Sequence, residues 1–232
     1  MDKAFELSER KTNTRDSAQT YKLYTLDDSE QLFLDTIRVI DKNINYAKSL
    51  IDNNLDVASE LLRYQIVLVE SAFDFFCHSI IKYGMIQIFH GEWKRTDKYN
   101  NFSVKFSQID SAKAGINEDW ILEMVDNKIS TQTFLGYEEL KDGLNYIQKD
   151  CLKEIAKDIY GTDEYTSLQE INADISRVYK RRNEIAHQND CEHKTGVKKT
   201  ITLDEVEELK AIIIKIVNSI LKTLRSIPSE AS

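Results

Sequence analysis

The chain has 232 residues and a formal net charge of −8, a length that supports one large core better than several small modules. A single proline and seven glycines disfavour a turn-rich β architecture and set the first expectation at all-α. The negative charge excludes a general basic coating as a way to bind nucleic acid, and three cysteines (Cys77, Cys151, Cys191) without C-x-x-C spacing exclude a disulfide framework and point to reduced thiols in the cytoplasm.

Residues 1–26 are polar and aperiodic, which predicts a flexible N-terminal arm, with no apolar run of the signal-peptide kind; 27–228 read as a single helical domain. No stretch reaches the uninterrupted apolar length of a membrane helix, so no membrane contact is expected. From Asp28, Ile37, Ile40, Ile44 and Ala47 recur at helical spacing, with Ser29 as the expected N-cap and Asn53-Asn54 as the stop. A second helix from Asp56 to Ile88 is apolar on almost every side between Arg63 and Lys82, as befits the centre of a bundle.

His90 to Gly115 predicts an irregular connection holding one short helix, and 117–129 another. Tyr137 to Tyr160 reads as one or two helices ended by Gly161, and Ser167 to His187 as the next. A polar loop over 188–200 leads to a last helix from Leu203 to Arg225, capped by Thr202 or Asp204 and closed by Pro228. Trp93, Trp120, His78 and His90 read as ordinary packing or helix residues.

The helix from Ser167 carries the anomaly that points to chemistry. Its apolar stripe Ile171, Ile175, Val178 continues to Arg182 before Ile185, so the period puts a guanidinium where a core side chain belongs. Such a group needs a carboxylate or an anion. Glu70 and Asp74, sharing one face of the central helix, are the candidate carboxylates, in a structural ion pair or a site. Arg182 and His187 lie five residues apart, roughly 140° around a helix axis. To act together they require a loosened helix near Ala186, an Arg side chain that reaches around, or two copies of the segment meeting. Asn183 shares a face with His187.

Around them Arg177, Lys180, Arg181, Arg182, Lys194, Lys198 and Lys199 outnumber Glu184, Asp190 and Glu192, a local basic site fit for phosphate; Lys180, Arg181, Lys194, Lys198 and Lys199 are the candidate RNA contacts. His187, Cys191 and His193 lack further ligands for a tetrahedral metal set, and no metal or cofactor is expected.

Arg182-Asn183-x-x-x-His187 near a helix end resembles the signature of the HEPN superfamily, flanked by Val178-Tyr179-Lys180-Arg181 and Gln188-Asn189-Asp190. Val69-Glu70-Ser71-Ala72-Phe73 and Thr131-Gln132-Thr133-Phe134-Leu135 resemble the branch called RiboL-PSP-HEPN. The resemblance implies an all-α HEPN-like bundle with long central helices and a C-terminal helix, forming a homodimer through its motif helices. It implies a metal-independent endoribonuclease that cleaves RNA by 2′-hydroxyl attack, in phage defence, toxin–antitoxin or RNA-processing settings, with an antitoxin or defence-system partner among the options.

An imidazole, which titrates near neutrality, suits a general base or acid, and the resemblance assigns that role to His187. Arg182 would stabilise the phosphorane, and Asn183, Glu70 and Asp74 would support the pair. The alternative is a non-catalytic HEPN-type interaction or nucleotide-binding protein, since members exist that keep the fold without cleaving RNA.

Overall fold

The computed structural model describes residues 22–103 and 119–229; the arm expected over 1–26 and the connection over 90–115 lie partly outside the described residues. Eight helices are described: α1 (Leu26–Leu50), α2 (Leu55–His90), α3 (Asp97–Asn100), α4 (Asp119–Ile129), α5 (Tyr137–Leu144), α6 (Cys151–Tyr160), α7 (Glu164–Gln188) and α8 (Leu203–Arg225). The architecture is the all-α bundle that composition and pattern imply, with the long central helices and C-terminal helix that the HEPN resemblance implies.

Helix α1 starts earlier than Ser29 suggests, because Thr25 and Asp28 form a capping box. The Thr25 hydroxyl accepts the Asp28 N–H at 3.1 Å, and the Asp28 carboxylate accepts the Thr25 N–H at 3.0 Å. Two orphan amides are satisfied where Ser29 would satisfy one. Ser29 lies inside the first turn, donating its hydroxyl to the Thr25 carbonyl at 2.7 Å.

At 36 residues α2 is long enough, and apolar enough on average, to cross a bilayer, although polar residues interrupt its apolar run as the sequence suggests. Here α2 is the central helix, packed by α1, α4, α7 and α8, with Ile66, Phe73, Phe76 and Ile80 wholly buried. Gly84 permits one close approach: a Cβ there would lie 2.6 Å from the Ile147 side chain and 2.7 Å from the Trp93 ring.

The span 137–160 forms two helices, α5 and α6, broken at Asn145–Asp150, with Asp150 at φ 58°. Gly161, at φ 65°, stops α6 as expected. Thr202, rather than Asp204, caps α8. Between α7 and α8, residues 190–199 fold back in a short hairpin through one antiparallel bridge, Cys191 to Lys198. This hairpin packs beside the motif end of α7.

Candidate active site

Ile171, Ile175 and Val178 of α7 are buried as predicted, but the guanidinium that continues their row inward belongs to Arg181, 8% exposed, while Arg182 is half-buried. Steps of three and four residues both continue a row of period 3.6, so the carboxylates decide. Asp190, 1% exposed, accepts from Arg181 Nη1, from Arg181 Nη2 at 3.1 Å and from Arg63 Nε at 2.6 Å. Arg181 Nε donates to Glu205 of α8 at 2.7 Å, and Arg63 Nη2 to the Lys199 carbonyl at 2.6 Å. Arg181, expected among the RNA contacts, is therefore an internal strut. Burial alone raises the Asp190 carboxyl, but the hydrogen bonds and charges of Arg181 and Arg63 outweigh it and hold the group below the ordinary carboxylate range.

Asn189 and Asp190 carry φ of 51° and 55°, the left-handed conformation that Asn and Asp tolerate best among residues with a side chain. They end α7 abruptly, and the Asp190 N–H returns to the Glu184 carbonyl at 2.9 Å. The Asp190 carboxylate is thereby folded beneath the helix that carries the motif. In the sequence Asp190 reads only as part of the motif's flank and Arg63 only as one edge of the apolar run, neither as a member of a clamp. The Asn-Asp pair after a helix was the signal for the turn, and nothing local marks the long-range clamp.

Helix α7 stays α-helical through Gln188. Of the ways to join Arg182 to His187, a single chain uses the reach of the arginine: Arg182 Nη1 lies 3.3 Å from His187 Nε2 and 2.9 Å from Asn183 Oδ1, to which it donates. A guanidinium only donates, so in this arrangement Nε2 accepts and the ring proton sits on Nδ1. Asn183 orients Arg182 through its amide oxygen, and His187 is exposed at the helix end.

Beneath Arg182 lies Glu70, 1% exposed, its Oε2 3.5 Å from Arg182 Nε and neither atom in a hydrogen bond. Burial pushes the Glu70 carboxyl up to about 8, Arg182 pulling it down and Asp74 adding to the rise. Below that value the carboxyl is largely neutral, and the charge of Arg182 stays available to an anion. The folded state thus prefers protonated Glu70, so its contribution to stability is full below the ordinary value of 4.5 and is lost as pH rises through about 8. Glu70→Gln, which keeps the neutral shape, is expected to gain melting temperature over the natural protein progressively across that interval. A loss instead, growing toward alkaline pH, would mean that Arg182 holds Glu70 ionised.

Asp74 does not join this group. Its Oδ1 accepts the Phe134 N–H at 2.8 Å and the Thr133 hydroxyl at 3.4 Å, because the turn before α5 docks there. Much of the basic neighbourhood is also spent internally, which corrects the count of free cations. Lys198 pairs with Glu60, Lys199 with Glu184 at 2.9 Å, and Arg177 with Glu208 at 2.6 Å. Lys180 and Lys194 remain exposed. Among the described residues no group of three or more His, Cys, Asp or Glu is arranged to hold a metal.

With Glu70, Arg182, Asn183 and His187 thus assembled on α2 and α7, residues 33–226 match the family model RiboL-PSP-HEPN. The chain belongs to the RiboL-PSP-HEPN family. No curated protein and no solved structure matches it. Membership in this HEPN family points to a nuclease or a nucleotide-related function.

Proposed function

We propose that this RiboL-PSP-HEPN protein is a metal-independent endoribonuclease working as a homodimer, with Arg182 and His187 as its catalytic residues. The observation that carries the reading is the Arg182–His187 contact of 3.3 Å at the open end of α7. When an RNA phosphate draws the guanidinium to itself, the freed Nε2 can take the proton of the 2′-hydroxyl as its oxygen attacks the adjacent phosphorus, while the guanidinium holds the charge gathering on the phosphoryl oxygens. The 5′-oxygen leaves with a proton, giving a 2′,3′-cyclic phosphate and a 5′-hydroxyl. Asn183 and Glu70 position the guanidinium, and exposed Lys180 and Lys194 supply backbone contacts.

The attacking and departing oxygens lie on opposite sides of phosphorus, so one imidazole cannot serve both in a single step. A second copy meeting the first at the motif helices supplies the second His187. Tyr64 and Leu68 on the outer face of α2, and Tyr179 on α7, are exposed large hydrophobic side chains suited to such a contact.

The test is cleavage of mixed single-stranded RNAs and tRNA by purified protein in a chelator, with product ends read for cyclic phosphate and His187→Ala beside it. Cleavage by the natural protein alone supports the reading. Dimer formation without cleavage moves the assignment to a non-catalytic interaction or nucleotide-binding protein. Growth arrest on expression, relieved by His187→Ala, would place the enzyme among toxins or defence proteins in the cytoplasm.

A further inference from the structure

Helix α2 leads away from Glu70 into a second polar environment. Asp74 and His78 follow at one and two turns, each turn advancing about 5–6 Å. They line a cleft of about 300 Å³ together with Tyr24, Ser71, Phe75 and Ser130. That volume sits at the small end of ligand sites and suits a single planar group. The two runs around Glu70 and Thr133 meet here, joined by the hydrogen bonds of Asp74 to the 133–134 backbone and side chain.

The lining is unusual in leaving both apolar and polar capacity open. Phe75 is 47% exposed although its neighbour Phe76 is in the core, and Tyr24 meets it edge-on at 5.7 Å. Asp74 Oδ1 is engaged, whereas Oδ2 lies 3.8 Å from His78 Nε2 and accepts no hydrogen bond among the described residues. His78 Nδ1 is buried without a well-formed hydrogen bond, the Gln132 backbone lying beside the ring, which is wedged against Phe134 at 4.7 Å. Burial holds the imidazole below its ordinary value, against the pull of Asp74. A ligand that satisfies this set has a flat face for Phe75 and hydrogen-bonding groups along one edge, including a donor for the carboxylate. Lys22 and Lys82 also line the cleft, but Lys82 is paired with Asp126 and Lys22 lies over the Tyr24 ring, and a phosphate, which has no flat face, would meet the carboxylate of Asp74.

We propose that this cleft is a subsite for one unpaired base of single-stranded RNA, with Phe75 stacking on the ring and Asp74 Oδ2 selecting bases that carry an exocyclic amino group. The subsite rests on the proposed RNA substrate, and it places a base about one helical turn from Glu70, within reach of a strand whose phosphate lies at Arg182 and His187. Stacking on an exposed aromatic ring is how single-stranded nucleic acid is commonly held, and a carboxylate reading an amino group is an established base contact.

The experiment measures binding of 2′-O-methylated hexamers, which lack the attacking hydroxyl, to the full chain by fluorescence anisotropy. Oligo(C) and oligo(A) are expected to bind more tightly than oligo(U). Phe75→Ala, at an exposed position, is expected to weaken binding about tenfold, and Phe75→Tyr to keep it. Asp74→Asn keeps the acceptor for Phe134 and adds an amide donor, so it should shift the preference toward oligo(U). Unchanged binding and preference in Phe75→Ala and Asp74→Asn would overturn the subsite while leaving the nuclease standing if cleavage still depends on His187. Binding that follows these predictions without cleavage of any RNA would keep the subsite and discard the nuclease. Failure of the natural chain to bind any hexamer would overturn the subsite.

Discussion

Asp190→Ala is expected to lower the unfolding free energy by about 3–5 kcal/mol, the usual cost of removing one partner from a buried charge cluster. Two guanidiniums, Arg63 at 5% and Arg181 at 8% exposure, would be left facing each other without the carboxylate between them. Repulsion and lost hydrogen bonds act together, and neither arginine can release its proton to escape. Urea unfolding followed by far-UV circular dichroism reads the effect. Because Arg63 and Arg181 hold the Asp190 carboxyl below its ordinary value of 3.8, the stability it lends is present above that value and fades as pH falls through the lowered one. The gap between the two proteins should therefore be full near neutrality and narrow on acidification. A loss under about 1 kcal/mol near neutrality, the scale of an exposed pair, would show that solvent screens the cluster.

Arg182→Ala is expected to slow RNA cleavage about 10²–10³-fold, the scale for removing a donor that stabilises developing negative charge. His187→Ala should cost about 10²–10⁴-fold as the loss of a general acid–base group. The two side chains touch, so the double variant should fall little below the poorer single one. Arg182→Lys is the sharper probe. An ammonium keeps the charge but lacks the planar fork, so it cannot face Asn183, His187 and a phosphate together. Single-turnover cleavage of a labelled oligonucleotide measures all four proteins. Full activity in Arg182→Lys would reduce the role of Arg182 to bulk charge.

The helices were legible because their signals are local. Apolar residues three and four apart, Gly161 after α6 and Thr202 before α8 each act within a few residues of chain. Glu70 was legible as a partner for an arginine because a polar residue on an apolar helix demands one, whereas Asn183 and His187 were read from the resemblance of the Arg-to-His run to the HEPN signature. What the sequence hid depends on distant contacts. Arg181 and Arg182 continue the apolar row by a step of three and of four residues respectively, and only the position of Asp190 decides which turns inward. Lys198 and Lys199 look free until α2 and α7 bring Glu60 and Glu184 beside them. Asp74 shares a face with Glu70, yet the Phe134 amide claims it from another segment.

The last turn of a helix ordinarily frays and opens well before the rest of a domain. In α7 that turn is braced at both ends, by Arg182 lying over Glu70 and by the left-handed pair that carries Asp190 under the helix to Arg63. The exposed imidazole thus stands on a rigid mount at the rim of a sealed interior. The backbone that carries it is set when the chain folds, and part of the conformational freedom a binding site commonly loses on meeting its ligand has here been surrendered in advance.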